Sequence, residues 1–543
     1  MWEYKVDFNT NKVWTEPNVI IPYLKEWIQN QRWSGISAVS EYKLDTKNGF
    51  LLFSSDSNLI YGYLLRIYTE GNPNSESIYF IPIEIARHKS NNENFSIKLK
   101  CMDTELFIRG AELSSLFFET IFNIFLQNSK IQLFNSNKIQ FQLFHPFFTK
   151  DMKIQQIKLL GGGNTTNTVV KLTLSNKSEL VIKIFRMVSK NPEIKMLKSL
   201  YSNGFHQIPQ PFGCIDLNIE KINYPLIFIY KYIEASGDGG LHFWNDLIDQ
   251  LHSYVVDTKV RIEPLNLYCT RLGETIFNFH YHSSIINDDF FKPEPISSAN
   301  IINWREKIKQ LFQIVELNIR QEYTNDFQIL NCLNSLKIYI ADFLKDKSWN
   351  KLDGLMKIKI HQDLHLSQIL TIQSLGKSQY IIIDFEGDPL LSPDAKFQKD
   401  PIFRDLAAIC SAFHYIKFNA LQQYLETNLQ MDRQELTNNY IALLFASKND
   451  KLKIDPQFIQ RREFVTMWAT YCIQSFNNAY IHQMKNKNIH FNLEPLNPTV
   501  FLEILHLFRK ERLIKELYYE SLFRKSQIIV PLIGLFELFG TIK

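Results

Sequence analysis

The chain has few cysteines, no long apolar run and no excess of one charge sign. Its six cysteines, Cys101, Cys214, Cys269, Cys332, Cys410 and Cys472, are scattered over 543 residues with no CxxC pair. That spacing argues against a disulfide framework and against a cysteine-ligated zinc site, and it predicts reduced thiols. The longest apolar tract, 528–540, is interrupted by Pro531, Gly534 and Glu537, whereas a membrane-spanning helix needs ~20 apolar residues. The opening stretch Met1-Trp2-Glu3-Tyr4-Lys5-Val6-Asp7 is polar and holds no signal-type apolar core. The expectation is a soluble, cytoplasmic protein with no membrane partner. Sixty basic residues against 56 acidic ones leave a net charge of +4. Nothing in that balance demands a nucleic-acid partner. No repeat of 20–50 residues is visible.

Hydrophobic residues make up 45% and charged residues 21% of the chain, so a packed core is expected and wholesale disorder is not. The length suggests roughly three or four folding units. Aromatic residues are abundant, with 42 Phe and 24 Tyr. They either fill a Phe-rich core or partly line a sugar or nucleotide pocket, and composition leaves both open.

The pattern along the chain predicts a short helix at 22–30, then strands near 49–53, 59–67 and 77–81 separated by turn-rich segments. A helix is predicted at 112–127, and Pro146 marks a boundary near residue 150. Strands follow at 153–160, 167–174 and 179–186, then a helix at 192–201 and a strand at 224–233. Beyond Gly237-Asp238-Gly239-Gly240 the pattern is mainly helical, except for a strand–loop–strand piece at 358–384. The predicted organisation is a cap at 1–105, a connecting segment at 106–150, a small sheet lobe at 151–234 and a mainly helical large lobe at 235–543.

The strongest chemical signal is His361-Gln362-Asp363-Leu364-His365-Leu366-Ser367-Gln368, followed by Ile381-Ile382-Ile383-Asp384-Phe385-Glu386. It pairs an acid in a loop with a second acid at the end of an apolar strand. Phosphoryl transfer needs one carboxylate to orient and deprotonate an acceptor hydroxyl and another to hold Mg²⁺ on nucleotide phosphates. Gln368 supplies a neutral oxygen near the first acid, and Glu386 could add a ligand. Mg²⁺ takes hard oxygen donors and few protein ligands. Two other readings stand beside this one: the alternating His361, Asp363 and His365 as a metal-binding strand edge, and the acids as turn caps without chemistry.

Upstream, Gly161-Gly162-Gly163-Asn164-Thr165-Thr166 sits at a predicted hairpin tip. Its small residues would let backbone N–H groups and the Asn164 and Thr165 side chains approach phosphates. An ordinary flexible hairpin has the same composition. Lys183 lies mid-strand in an apolar run, where desolvation is costly without a counter-charge. Glu193 opens the next helix ten residues later, and such a pair aims a lysine at ATP phosphates. A surface lysine and a helix-start acid favoured by the dipole would look similar. Tyr232 falls where a hinge would offer backbone groups to adenine.

With these motifs assembled, the sequence resembles the maltokinases, within the aminoglycoside-phosphotransferase-like kinases. The family core reads close to HGDLHxGQxL, IDFEGxP and RDxA. Here those segments are His361–Leu370, Ile383–Pro389 and Arg404-Asp405-Leu406-Ala407. Gln31-Arg32-Trp33 resembles the cap signature. Lys183-Ile184-Phe185-Arg186 with Asn191-Pro192-Glu193 resembles the family's "KLFR…NPE" segment. Leu272-Gly273-Glu274-Thr275 with His280 resembles an "LGE…H" helix, and Glu516, Tyr519-Glu520 and Arg524 a sugar-site helix.

The resemblance implies an α+β, two-lobed protein-kinase-like fold with an N-terminal α+β cap. It implies ATP-dependent phosphorylation of maltose to maltose 1-phosphate in α-glucan metabolism, with Mg²⁺ as cofactor and a trehalose-synthase-type enzyme as partner. Asp363 becomes the catalytic base, and Gln368, Asp384 and Glu386 metal ligands. Lys183, positioned by Glu193, becomes a phosphate contact, and His361, Glu516, Arg524 and Trp468 become substrate contacts; a core position for Trp468 and a surface helix pair for Glu516 and Arg524 stand beside that reading. Arg404 and Asp405 are expected to brace the loop. Another sugar such as glucosamine, or non-catalytic binding on a kinase scaffold, are the rival readings. Gln362 and Ser367 replace family glycines, with the expectation that neither backbone position has positive φ. Lys515 and the Arg524-Lys525 pair also depart from the family near the inferred sugar pocket.

Overall fold

The computed structural model describes residues 21–22, 24–25, 28, 39–44, 49–69, 76–87, 97–101, 104–127, 130–133, 137–149, 152–161, 166–254, 261, 263–374, 377–445, 454–487, 491 and 497–540. The chain divides into two compact units. The first holds the described residues up to Tyr201, Pro209–Ile233 and Ser392–Asp394; the second holds Ser202–Ile208, Glu234–Leu391 and the described residues from Ala395 on.

The first unit carries two antiparallel sheets. One is built from β1 (Val39–Leu44), β2 (Phe50–Ser54), β3 (Asn58–Thr69), β4 (Glu76–Ala86), β5 (Ile97–Cys101) and β6 (Thr104–Gly110). Its order is β1-β3-β4-β6-β5, with β2 also on β3. The long β3–β4 pairing runs from Asn58 opposite Ala86 to Tyr68 opposite Glu76. Helix α1 (Ser115–Leu126) begins where the Ser114 side chain accepts the Phe117 N–H, as N-capping requires. Phe117, Phe118, Ile121, Phe122 and Phe125 fall at helical spacing and are buried.

The second sheet comprises β7 (Lys130–Gln132), β8 (Lys138–Leu143), β9 (Ile154–Leu160), β10 (Thr168–Leu174), β11 (Glu179–Ile184), β12 (Pro211–Ile219) and β13 (Ile222–Lys231). Its order is β7-β8-β12-β13-β11-β10-β9. One apolar cluster joins Phe50, Ile60, Leu64 and Phe80 of the first sheet, the α1 phenylalanines, and Val170, Leu172, Leu180 and Ile182 of the second. Backbone bonds also connect the sheets: the Phe80 N–H donates to the Arg186 C=O at 2.7 Å, and the Val188 N–H to the Ile78 C=O at 2.8 Å. Fully buried Arg186 pairs with Glu112 at 2.6 Å and donates to Thr168 Oγ1 at 2.9 Å. An unpaired charge there would carry several kcal/mol of desolvation penalty.

This architecture corrects the expected partition. Residues 106–150 are not a connector, because they supply most of β6, all of α1, and β7 and β8 of the second sheet. Strand β12 was hidden from periodicity because its first seven residues are all buried, so no alternation betrays it. Of the predicted 22–30 helix, residues 22, 24, 25 and 28 are described as helical. Leu24 and Ile28 are buried on one face. The Gln31-Arg32-Trp33 signature lies outside the described residues.

The second unit is mainly helical. Its helices are α3 (Leu241–His252), α4 (Glu263–Ile285), α5 (Ser298–Glu322), α6 (Phe327–Lys345), α7 (Phe403–Leu429), α8 (Arg433–Phe445), α9 (Pro456–Lys487), α10 (Pro498–Phe523) and α11 (Ile529–Leu538); α2 (Glu193–Ser202) precedes them in the chain, almost wholly in the first unit. Two small sheets accompany the helices: β14 (Gly237–Asp238) with β17 (Ile369–Ser374) and β18 (Lys377–Ile382), and β15 (Glu294–Pro295) with β16 (Met356–Lys357). Gly273 lets α4 approach α9 closely. A Cβ there would lie 2.6 Å from the Phe476 carbonyl oxygen and 2.9 Å from the Ala479 Cβ.

Of the two readings of Trp468, the structure shows the core one. It is fully buried, its Nε1–H donates to Asp246 Oδ2 at 3.0 Å, and its ring meets Phe243 and Phe413 edge-on. No face remains for a sugar. The five described cysteines are buried and form no disulfide. No described helix is long and apolar enough to cross a membrane.

Candidate active site

In the second unit, the loop before β17 is held from below by one carboxylate. Asp405, in the first turn of α7, accepts the His361 N–H at 2.9 Å and the Gln362 N–H at 3.0 Å. His280 of α4 lies 3.2 Å from the same carboxylate and 2.8 Å from the Tyr480 hydroxyl of α9. Asp405 therefore braces the loop, as expected. The paired Arg404 reaches Glu511 at 2.8 Å and Asp400.

The loop backbone overturns one expectation. Gln362 has φ +73°, a left-handed conformation that glycine adopts without steric cost. Its side chain compensates in part, since its amide donates to Asp400 Oδ2 at 3.0 Å. Ser367, by contrast, lies in a short 3₁₀ turn and has no positive φ. His361 also departs from its implied substrate role. It is buried, its Nε2 bonds the Ile383 carbonyl at 2.9 Å, and its ring packs on Phe385. It ties the loop to the end of β18.

Asp363 projects from this loop with one-fifth of its side chain exposed, 3.8 Å from Arg512 Nη2. Burial pushes its carboxyl up to about 7, opposed by Arg512 and reinforced by Asp388, Glu516 and Asp384. A carboxyl titrating near neutrality suits a general base. Burial, with Arg512 next, pushes neighbouring His365 down to about 4, so its ring is uncharged at neutral pH.

Gln368 donates to Asp384 Oδ2 at 3.2 Å, and the Ile383 N–H donates to the Gln368 C=O at 2.9 Å. The hairpin thus sets the loop residue beside the acid that ends the apolar strand. Asp384 has φ +63°, and strained backbone at such a position often accompanies function. Carboxylate oxygens of Asp384 and Glu386 come within 4.8 Å of each other. Two carboxylates and an amide oxygen form a hard donor set that fits Mg²⁺.

A cavity of about 620 Å³ opens at Asp363. Its charged lining includes Asp238, Asp388 and Glu516 against Arg512, Lys515 and Arg524. Trp244, Tyr415 and Tyr519 supply aromatic faces. Among the described residues no phenylalanine lines it, and many of the phenylalanines instead fill the cores. Glu516 and Arg524 both reach this cavity, but not as a pair: Glu516 binds Arg512 at 2.6 Å and Arg524 binds Glu520 at 2.6 Å. Glu520 also accepts the Tyr415 hydroxyl at 2.9 Å. Arg512, Asp388 and Trp244 escaped the sequence reading. Arg512 had a usable signal, since it stands one helical turn before Glu516.

In the first unit, Lys183 and Glu193 meet as expected. The Nζ–Oε2 distance is 2.7 Å, with side-chain exposures of 7% and 2%. Glu193 occupies the first turn of α2. Tyr232 fits its assignment less well. Its N–H donates to the Glu179 carbonyl at 3.1 Å, so that donor is taken. Lys171 lies over its ring, 3.9 Å from the centroid. Asn164 and Thr165 lie outside the described residues.

No known family profile matches the chain. Among curated proteins, a glucosamine kinase of Streptacidiphilus jiangxiensis is 19% identical over 226 residues, 42% of this chain and 47% of its own length. A glucosamine kinase of Mycolicibacterium smegmatis is 20% identical over 229 residues, 42% of this chain and 51% of its own. The chain thus spans about half the length of the curated relatives it matches. Among solved structures, a glucosamine kinase in complex with glucosamine, ADP and inorganic phosphate superposes with TM-score 0.60 at 14% identity, covering 94% of this chain and 98% of that one. The likeness is one of fold. The chain has the two-lobed α+β kinase-like fold with an N-terminal α+β portion.

Proposed function

We propose that the protein transfers the γ-phosphoryl group of ATP to a hydroxyl of a sugar. The observation that carries this is Asp363, tuned near neutrality, at the wall of a 620 Å³ cavity. Asp363 orients the acceptor hydroxyl and takes its proton as the new O–P bond forms and the bond to ADP breaks. Gln368, Asp384 and Glu386 would hold Mg²⁺, which when bound neutralises phosphate charge. Lys183, held by Glu193, contacts the nucleotide phosphates. The Lys183–Glu193 pair keeps this cation aimed without a flexible search. ATP as donor suits a cytoplasmic setting.

The favoured acceptor is an amino sugar, glucosamine. The named relatives and the fold neighbour support it. So does the cavity, where Arg512 and Arg524 are paired with Glu516 and Glu520 and Lys515 lies 3.8 Å from Glu511, while Asp388 adds negative charge near Asp363 and Asp238 lines the same wall. Maltose is the second reading, favoured by one observation: an adjoining cavity of about 360 Å³ shares Asp388, Leu390, Arg512 and Lys515 with the first, leaving room for a second ring. That reading brings maltose 1-phosphate as product and a trehalose-synthase-type partner.

The test is ADP release from the full chain with ATP, Mg²⁺ and a panel of glucosamine, glucose and maltose. Turnover with glucosamine and not maltose supports the first acceptor, and the reverse supports the second. Asp363→Asn should lower turnover about 10²–10⁴-fold and leave ATP affinity intact. ATP binding without turnover on any sugar would favour a non-catalytic binding protein.

A further inference from the structure

A pyranose has polar edges, where its hydroxyls lie, and flatter faces made of C–H groups. The acceptor cavity meets such edges with carboxylates and guanidinium groups, Asp363, Glu516, Arg512 and Arg524 among them. A C–H face gains instead from an apolar or aromatic cover that displaces water. Trp244, Tyr415 and Tyr519 are the candidates for that cover.

The two tyrosines are already engaged within the protein. The Tyr415 hydroxyl donates to Glu520 at 2.9 Å, and its ring meets His414 edge-on. Tyr519 packs on Phe523 with 4.9 Å between ring centroids, and the Arg524 guanidinium lies 5.2 Å from the Tyr519 ring centroid. Trp244 differs. Among the described residues, no side-chain hydrogen bond, ring contact or cation reaches its indole. The other described tryptophans are occupied. Trp349 Nε1–H donates to the Phe343 carbonyl and Trp468 Nε1–H to Asp246, each at 3.0 Å, and the Arg404 guanidinium covers Trp304, 4.7 Å from its ring centroid.

Trp244 is nonetheless held in place. It is the fourth residue of α3, and Asp238 Oδ1 accepts the Gly240 and Leu241 N–H groups at the start of that helix, each at 3.0 Å. The preceding Phe243 is fully buried against Phe413 and Trp468. That anchors the helix and leaves the half-buried Trp244 on the cavity wall. A rigid aromatic surface without a protein partner can receive a ligand at little ordering cost. We propose that Trp244 is the stacking platform of the acceptor cavity, covering a C–H face of the sugar with its Nε1–H free for a hydroxyl, and that the site therefore selects a closed pyranose ring over an open-chain polyol. This inference rests on the sugar-kinase reading above.

The experiment titrates the full chain calorimetrically with ring and open-chain pairs, glucosamine against glucosaminitol and glucose against glucitol, and measures kcat and KM with glucosamine, glucose and maltose. Expected in the parent is ring binding about tenfold tighter than polyol binding, a preference that shrinks to about twofold or less in Trp244→Ala. KM of the accepted sugar should rise about tenfold in Trp244→Ala while kcat changes less than about twofold, the mark of lost binding rather than lost chemistry. Trp244→Phe keeps an aromatic face and should recover most of the affinity. Sugar should also change the tryptophan emission of the parent, and Trp244→Phe should lose that change while still binding. A ring preference that persists in Trp244→Ala, or an accepted sugar whose KM is unchanged there, would overturn this proposal and leave the kinase reading standing. A parent that neither binds nor phosphorylates any of the three sugars would overturn both.

Discussion

Replacing Arg512 by Gln tests whether Asp363 is a base whose pKa the site controls. Arg512 Nη2 stands 3.8 Å from Asp363 Oδ1. Unit charges at that separation attract by about 1 kcal/mol in bulk water and about 4 kcal/mol at an effective dielectric of 20, or ~1–3 pK units. Arg512 is one-sixth exposed and shares its charge with Glu516 at 2.6 Å, which places the effect at the lower end, about 1 unit. Asp363 acts when ionised, so kcat/KM should rise with pH to a plateau above its pKa of about 7. In Arg512→Gln the limb should move up to about 8, because removing a cation favours the neutral acid. At pH 7 the ionised fraction then falls from about one half to about one tenth, a roughly fivefold loss. The loss should vanish above pH 9. The assay is initial rate of ADP formation from pH 5.5 to 9.5. A limb that stays in place while the rate drops equally at every pH would refute the coupling and leave Arg512 a binding residue only.

Other perturbations separate structure from chemistry. In the fold Asp363 keeps its proton up to about 7, whereas the unfolded chain releases it near the ordinary carboxyl value. The folded state therefore binds more protons between these limits, and stability falls as pH rises through that window. Asp363→Asn should accordingly show a higher Tm than the parent at pH 8 while losing turnover. Lys183→Met should lose about 3–5 kcal/mol in urea unfolding by stranding buried Glu193, and adding Glu193→Leu should restore most of it without restoring activity. Gln362→Gly should be about 1 kcal/mol more stable than Gln362→Ala, since only glycine accepts its positive φ without strain. Gly273→Ala should cost about 1–3 kcal/mol by forcing α4 away from α9, readable as a lower urea midpoint.

The parts of the site whose signal is local were legible from residue order alone. Asp363 and Gln368 sit five residues apart in one loop, and Asp384 ends an apolar strand whose burial holds it in place. Lys183 is recognisable because an apolar strand tolerates a lysine only with a counter-charge, and Glu193 provides it at 2.7 Å. Tertiary structure alone decided the rest. Arg512 meets Asp363 because α10 packs beside the loop, and Asp405 supports two loop N–H groups because α7 begins beneath them. Trp468 was open to a sugar-contact or a core reading, and packing decides for the core by sealing it between Phe243 and Phe413. The expected connector became helix and strand of a shared core, since pairing β8 with β12 joins residues 70 to 80 positions apart. Local sequence carries propensity and spacing. Burial, backbone strain at Gln362 and the charge surrounding Asp363 are properties of neighbours that only packing brings together.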